Sequence, residues 1–179
     1  MLKIFIGYDP NETIAYHVLA HSILCRSSVP VSITPLKLSQ LPLTRPKTEY
    51  QSTEFSFSRF LVPWLCDYEG TAIFMDCDML VLDDIAEIAV DPNAAVSVVK
   101  HDYTPRTEYK FLDQAQSRYH KKNWSSVMVF NNAKCKALTP TYVNEASGLE
   151  LHQFKWLEND GLIGELDPAW NHLVGEYPE

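Results

Sequence analysis

The sequence predicts an α/β domain, a mostly parallel central sheet flanked by helices. Three observations carry this. Short apolar, β-branched runs (Leu2 to Ile6, Ala72 to Leu82, Ala94 to Val99, Ser125 to Phe130) alternate with stretches of helical character, the order that builds strand–helix–strand units. The run Ala72-Ile73-Phe74-Met75-Asp76-Cys77-Asp78-Met79-Leu80-Val81-Leu82 contains no Gly or Pro and reads as one strand buried on both faces. The 179 residues, 46% apolar and 21% charged, are a single domain's worth, enough to enclose a core.

Taken in order, Leu2 to Ile6 is a first core strand closed by Gly7, and Gly7-Tyr8-Asp9-Pro10-Asn11 is a turn by composition. Asn11 or Thr13 can cap a helix from Ile14 to about Cys25, with Ile14, Val18, His21 and Cys25 on one face and Leu19 near its edge. Strand, tight loop and helix in this order set Tyr8 and Asp9 at the strand's C-terminal edge, where open α/β sheets bind ligands. Val29 to Leu36 is an edge or interrupted strand, because Pro30 and Pro35 break it. The polar stretch Lys37 to Thr53, with Pro42 and Pro46, is a long surface loop. A helix begins at Ser52 or Thr53, presents Phe55, Arg59 and Val62 on one side, and is kinked or stopped by Pro63.

Arg59 has two readings among Phe57, Phe60 and Leu61: a side chain snorkelling to the surface, or a fixed guanidinium directed at a phosphate or sugar hydroxyl. After the turn Asp91-Pro92-Asn93 comes the strand Ala94 to Val99, and then His101, expected as a solvated loop histidine, and Asp102. The polar segment 103–123 suggests an amphipathic surface helix around Tyr109 to Tyr119. Ser125 to Phe130 is a strand; Thr139 to Ser147, stopped by Gly148, and Leu149 to Leu157 are short helices; Glu158 to Gly161 is a turn. The segment from Leu166 onward has no stop signal of its own and reads as a chain broken off before its last element.

Charge and cysteines exclude some functions. A net charge of −8, with no run of Lys and Arg, argues against a nucleic-acid partner. Cys25, Cys66, Cys77 and Cys135 form no C-x-x-C pair, so neither a zinc site nor a disulfide framework is indicated. Buried free thiols are expected at Cys25, Cys66 and Cys77. The N-terminus lacks a signal-peptide pattern and no stretch is apolar enough to span a membrane. A cytoplasmic protein is the expectation.

Asp76 and Asp78 are the chemical anomaly. Carboxylates in an apolar strand repel one another and are costly unless something compensates them. In a strand, Asp76 and Asp78 would share a face and Cys77 would take the other. Two hard oxygen ligands on one side make half of a site for Mg²⁺ or Mn²⁺. The competing reading, an Asp that starts a turn or caps a helix, suits Asp83 and Asp84 better, since apolar residues continue after Asp78.

Phe57-Ser58-Arg59-Phe60-Leu61-Val62-Pro63-Trp64-Leu65, followed by Ala72 to Leu82 and Asp83-Asp84-Ile85, resembles the centre of glycosyltransferase family 8. That family comprises nucleotide-sugar-dependent transferases of the GT-A fold, among them glycogenin and bacterial galactosyltransferases. Lys3 to Asp9 resembles its first strand and nucleotide-binding loop. Trp124-Ser125-Ser126-Val127-Met128-Val129-Phe130-Asn131 resembles a later strand, with Trp and Ser where small residues are usual. Asp160 through Trp170-Asn171 is similar to the segment leading to "L-P-x-x-W-N", although Gly161 follows Asp160 where a glutamine is usual. No stretch matches the C-terminal segment whose His is the family's third metal ligand. The 179 residues therefore read as one GT-A-like domain truncated at its C-terminus.

The resemblance implies transfer, with retention, of a sugar from a nucleoside diphosphate sugar, UDP-linked, to a hydroxyl of a carbohydrate or glycoconjugate acceptor. Asp76 and Asp78 would hold Mn²⁺ or Mg²⁺. Gly7, Tyr8, Asp9, Arg59, Met75, Asp76, Cys77 and Asp78 would line the donor site. Asp102, Asn123 and Asp160 are candidates for contacting the donor or acceptor sugar. Two other readings stay open: a non-catalytic sugar-nucleotide binding module, and a phosphatase of the haloacid dehalogenase type. The latter uses a D-x-D nucleophile on its first strand, whereas this motif is on a middle one.

Overall fold

The computed structural model describes residues 1–46, 53–102 and 120–177. The helix expected around Tyr109 to Tyr119 lies outside them. Among the described residues six strands form one sheet in the order β2-β1-β3-β5-β4-β6: β1 (Leu2–Tyr8), β2 (Val31–Lys37), β3 (Thr71–Met75), β4 (Val96–Val98), β5 (Val127–Asn131) and β6 (Ile163–Glu165). Neighbours run parallel for β1–β2, β1–β3 and β4–β6, and β5 is antiparallel to both β3 and β4. The sheet is the expected α/β sheet with one reversed strand. Of the two readings, edge or interrupted, β2 is an edge strand; Pro35 lies within it and Pro30 just before it.

The helices are α1 (Thr13–Arg26), α2 (Val62–Leu65), α3 (Pro140–Glu145) and α4 (Gly148–His152). None of the described helices is long and apolar enough to cross a membrane. Ile4, Ile6, Ile73, Phe74, Val127 and Phe130 fill the middle of the sheet, and Phe55, Phe60 and Leu61 pack into the same core.

Several expectations change. β3 stops at Met75, so Asp76-Cys77-Asp78 is a turn beyond the strand and the alternating-face argument does not apply to it. Leu80 and Leu82 are exposed while Val81 is buried, with its N–H bonded to Ser22 Oγ of α1 at 3.1 Å. The buried face of α1 is Leu19, Ser22 and Ile23; Ile14 and Val18 are exposed, and so is Cys25. The segment after Thr53 forms a 3-10 turn, Ser58–Leu61, before α2. Pro63 opens α2 instead of ending a helix, a position where its missing N–H costs nothing. Likewise Gly148 starts α4 behind a capping box made by Ser147 and Glu150. The strand β6 falls after the turn at Asp160, in a stretch with no strand signal beyond Ile163.

Candidate active site

The strand directions create one functional edge. β1, β3, β4 and β6 all end at the side where antiparallel β5 begins, with Ile6 beside Met75 and Met75 beside Val127. Tyr8 and Asp9, Asp76 to Asp78, Lys100 to Asp102 and the start of β5 therefore meet along one rim, the position at which α/β sheets bind ligands.

Arg59 organises the centre of that rim. It is 6% exposed, and its Nη1 lies 2.9 Å from Asp76 Oδ1. The same nitrogen donates to the Ser125 carbonyl at 2.9 Å, and Nε donates to the Phe55 carbonyl at 3.2 Å. The guanidinium sits over Phe74 at 4.9 Å. This excludes the snorkelling alternative: Arg59 is a fixed cation directed at the motif. Asp76 is held a second time, because its N–H donates to the Ser126 carbonyl at 2.9 Å.

Asp78 is exposed and lines an open cleft of about 630 Å³ with residues Pro10 to Ala15. Between the two aspartates, Cys77 is fully buried, and its thiol donates to Glu12 Oε2 at 3.0 Å. Burial, the Glu12 contact and the surrounding carboxylates push that thiol far up from its usual range. The D-x-D turn is thus tied to the loop that starts α1. Met75, also expected near the donor, is a core side chain at the end of β3.

The loop after β1 is held by its own donors. Asp9 is buried. Its Oδ1 accepts from the Asn11 N–H and Nδ2 at 2.9 and 3.0 Å, and its Oδ2 accepts from the Glu54 N–H at 3.0 Å. Asp9 therefore fixes the loop and anchors the segment carrying Arg59 to it. Tyr8 is half-buried, edge-on to Tyr16 at 5.6 Å between centroids. Gly7 has a packing reason to be glycine, since a Cβ there would lie 2.4 Å from the Phe55 ring.

The three residues expected to face sugars fall together at the far part of the rim. Asp102 and Asp160 line a pocket of about 550 Å³. Asn123 adjoins it in left-handed backbone, φ 61°, between two lining residues, Lys122 and Trp124. Asp160 is bonded to Lys121 Nζ at 2.6 Å, which, with Lys155 and Lys100 nearby, holds its carboxyl below the usual range.

His101 departs from expectation. It is buried, with Nε2 2.9 Å from Asn171 Nδ2 and Nδ1 3.1 Å from the Tyr177 hydroxyl. Asn171 Nδ2 also donates to the Asn123 carbonyl at 3.1 Å, which assigns its amide orientation and makes His101 Nε2 an acceptor. The proton is then on Nδ1. Burial pushes the His101 pKa down to about 4. His172 is exposed.

Sequence reasoning missed the lysines of this pocket. Lys100, Lys121, Lys122 and Lys155 come from three separate stretches, and no linear cluster announced them.

Asp76 and Asp78 offer a cation two hard oxygen donors. Among the described residues, no group of three His, Cys, Asp or Glu could hold a metal. That donor set fits Mg²⁺ or Mn²⁺ bound through one or two carboxylates, with substrate phosphates and water completing the shell.

No protein-family model matches the sequence. Protein CDI of Arabidopsis thaliana is 47% identical over 181 residues, spanning 97% of this chain and 70% of that protein. Among solved structures, the Streptococcus pneumoniae TIGR4 glycosyltransferase GlyE superposes with a TM-score of 0.54 at 14% identity, over 95% of this chain. The galactosyltransferase LgtC, solved with donor and acceptor sugar analogs, gives 0.54 at 13% identity, over 93% of this chain and 74% of its own. A glycosyltransferase involved in glycosylating the major capsid of PBCV-1 gives 0.52 at 14% identity, over 93% of this chain and 82% of its own. At such identities the likeness establishes a shared fold, that of the GT-A glycosyltransferases. The chain spans about half of GlyE, 46% of its length.

Proposed function

The chain belongs to the family of Protein CDI from Arabidopsis thaliana, and from that premise and its GT-A fold we propose that it is a glycosyltransferase of the family 8 type. It transfers a sugar, with retention, from a UDP-sugar to a hydroxyl of a carbohydrate or glycoconjugate acceptor, and depends on Mn²⁺ or Mg²⁺. The observation that carries this reading is the buried Arg59 held 2.9 Å from Asp76, at the sheet edge where the loop after β1 also ends. A phosphatase nucleophile would belong on the first strand; this motif follows β3.

Asp76 and Asp78 are the residues that would hold the cation. Bound there, the ion would act as a Lewis acid that offsets the charge of the departing diphosphate. Arg59 orients Asp76 and sets a positive charge close to the same place. Asp78, exposed in the cleft beside Asn11 and Glu12, is free to meet a ligand entering from solvent. Tyr8 supplies a half-buried ring for the base. Asp9 and the Cys77–Glu12 contact hold the two loops that frame the cleft. Asp102, Asn123 and Asp160 stand on the sugar side, where carboxylate and amide oxygens can accept from hydroxyls.

Calorimetric titration of UDP tests the reading. The chain binds UDP with Mn²⁺ and loses that binding in EDTA, and Asp78→Ala weakens metal-dependent binding by roughly tenfold or more. Because Asp78 is exposed, its replacement leaves thermal unfolding unchanged. Undiminished Mn²⁺-dependent binding of UDP to Asp78→Ala would remove the metal assignment.

A further inference from the structure

In a chain of net charge −8, the pocket at the far part of the rim is a local exception. Lys100, Lys121, Lys122 and Lys155 face two carboxylates, Asp102 and Asp160. Two imidazoles also line it, His120 and the buried His101, whose ring nitrogens meet Asn171 Nδ2 and the Tyr177 hydroxyl. Lys121 is committed, to Asp160 at 2.6 Å and to the Gln153 carbonyl at 3.0 Å, so that one carboxylate is already neutralised. Lys100 and Lys155 line the same pocket and lie near enough to Asp160 to act on its charge as well. Cations gathered from separate parts of the chain repel one another, and an anion between them relieves that repulsion.

The Lys121 ammonium stands over one face of the Trp124 ring, 5.9 Å from its centroid. Trp124 lines the pocket, and its Nε1–H is committed to the His101 carbonyl at 2.9 Å, which fixes the ring. A fixed indole flanked by ammonium groups is complementary to a pyranose that carries a negative substituent. The C–H face of the sugar packs on the ring, and the charge meets the lysines. The pocket is also beside the motif: two residues beyond Trp124, the Ser126 carbonyl accepts the Asp76 N–H at 2.9 Å.

We propose that this pocket receives the acceptor, and that the acceptor sugar carries an anionic group, a carboxylate or a phosphate, bound by Lys100 and Lys155 beside the Trp124 ring. The assignment rests on the glycosyltransferase reading above for the word acceptor, and on the pocket alone for the anion.

The test titrates D-glucuronate, glucose 6-phosphate and glucose into the full chain, and UDP with Mn²⁺ in parallel. Each titration is repeated on the Lys100→Gln/Lys155→Gln double variant, whose two sites are half-buried and exposed. The acidic sugars bind roughly tenfold tighter than glucose, and the advantage shrinks with added salt. The double variant loses it while Mn²⁺-dependent UDP binding stays the same. An advantage for only one of the two acids supports the proposal and names the anion. Equal binding of all three sugars overturns it. So does a parallel fall in UDP affinity in the double variant, which would assign the lysines to the donor's diphosphate. Acidic-sugar binding without any UDP binding would remove the transferase reading and leave the anion pocket standing.

Discussion

The Arg59 guanidinium donates to oxygens from three parts of the chain: Phe55 on its own segment, Ser125 before β5 and Asp76 after β3. Lysine has one donor centre and cannot reproduce that fork. Removing the arginine leaves a largely buried carboxylate without its counter-charge, a change that typically costs about 3–5 kcal/mol. Arg59→Ala is therefore expected to lower stability by about 3 kcal/mol in urea unfolding and to abolish metal-dependent UDP binding. Arg59→Lys should recover part of the stability and little of the binding. Binding at the wild-type level in Arg59→Lys would contradict a positioning role for the fork.

At the scale of elements, Phe55 shows how the turn before α2 is docked against β1. Its ring occupies the space that a side chain at position 7 would need. Gly7→Ala must displace a buried ring, and overpacking of this kind costs about 1–3 kcal/mol. A lowered melting temperature would report it. At Gly148 the nearest atom to an added Cβ is 3.4 Å away, so Gly148→Ala serves as the mild comparison.

The same packing explains what the sequence could and could not disclose. β1, the first half of the Ala72–Leu82 run and β5 were legible because each carries a run of apolar residues buried in the middle of the sheet. The end of β3 was not, since Met79, Leu80, Val81 and Leu82 continue the apolar pattern after the chain has left the sheet. The buried side of α1 was illegible for a related reason: apolar residues occur all round it, so periodicity alone could not choose between Val18 and Leu19. β6 is three residues, Ile-Gly-Glu, and its strand character comes from pairing with β4. The Asp pair stood out in the sequence as a chemical anomaly, whereas Arg59 kept two readings until the fold placed it, buried, beside Asp76. The lysine pocket and the burial of His101 depend on residues distant in sequence and needed the fold.

Over the whole molecule, His101 joins the end of β4 to the segment that closes the chain. Its Nε2 accepts from Asn171 and its ring stacks on Tyr177, 5.7 Å between centroids. Protonation would turn that acceptor into a donor facing a donor. The folded pKa, about 4, lies below the ordinary 6.5, so the unfolded chain takes up the proton first. The contribution to stability is full above pH 6.5 and is lost as pH falls from 6.5 toward 4. The loss is of the order of 3 kcal/mol. Urea midpoints measured between about pH 7 and pH 4.5 should fall for the native chain, and fall less steeply for His101→Gln. Equal slopes would show that the ring titrates in the folded protein as it does in water.

The distribution of thiols has a practical consequence. Cys66, Cys77 and Cys135 are buried, and Cys25 on α1 is exposed. Burial also holds the three inner thiols in their protonated, unreactive state. A maleimide dye offered to the native protein would therefore attach at Cys25 without any engineered cysteine. α1 would then carry a fluorescent reporter on the helix whose first turn borders the cleft holding Asp78.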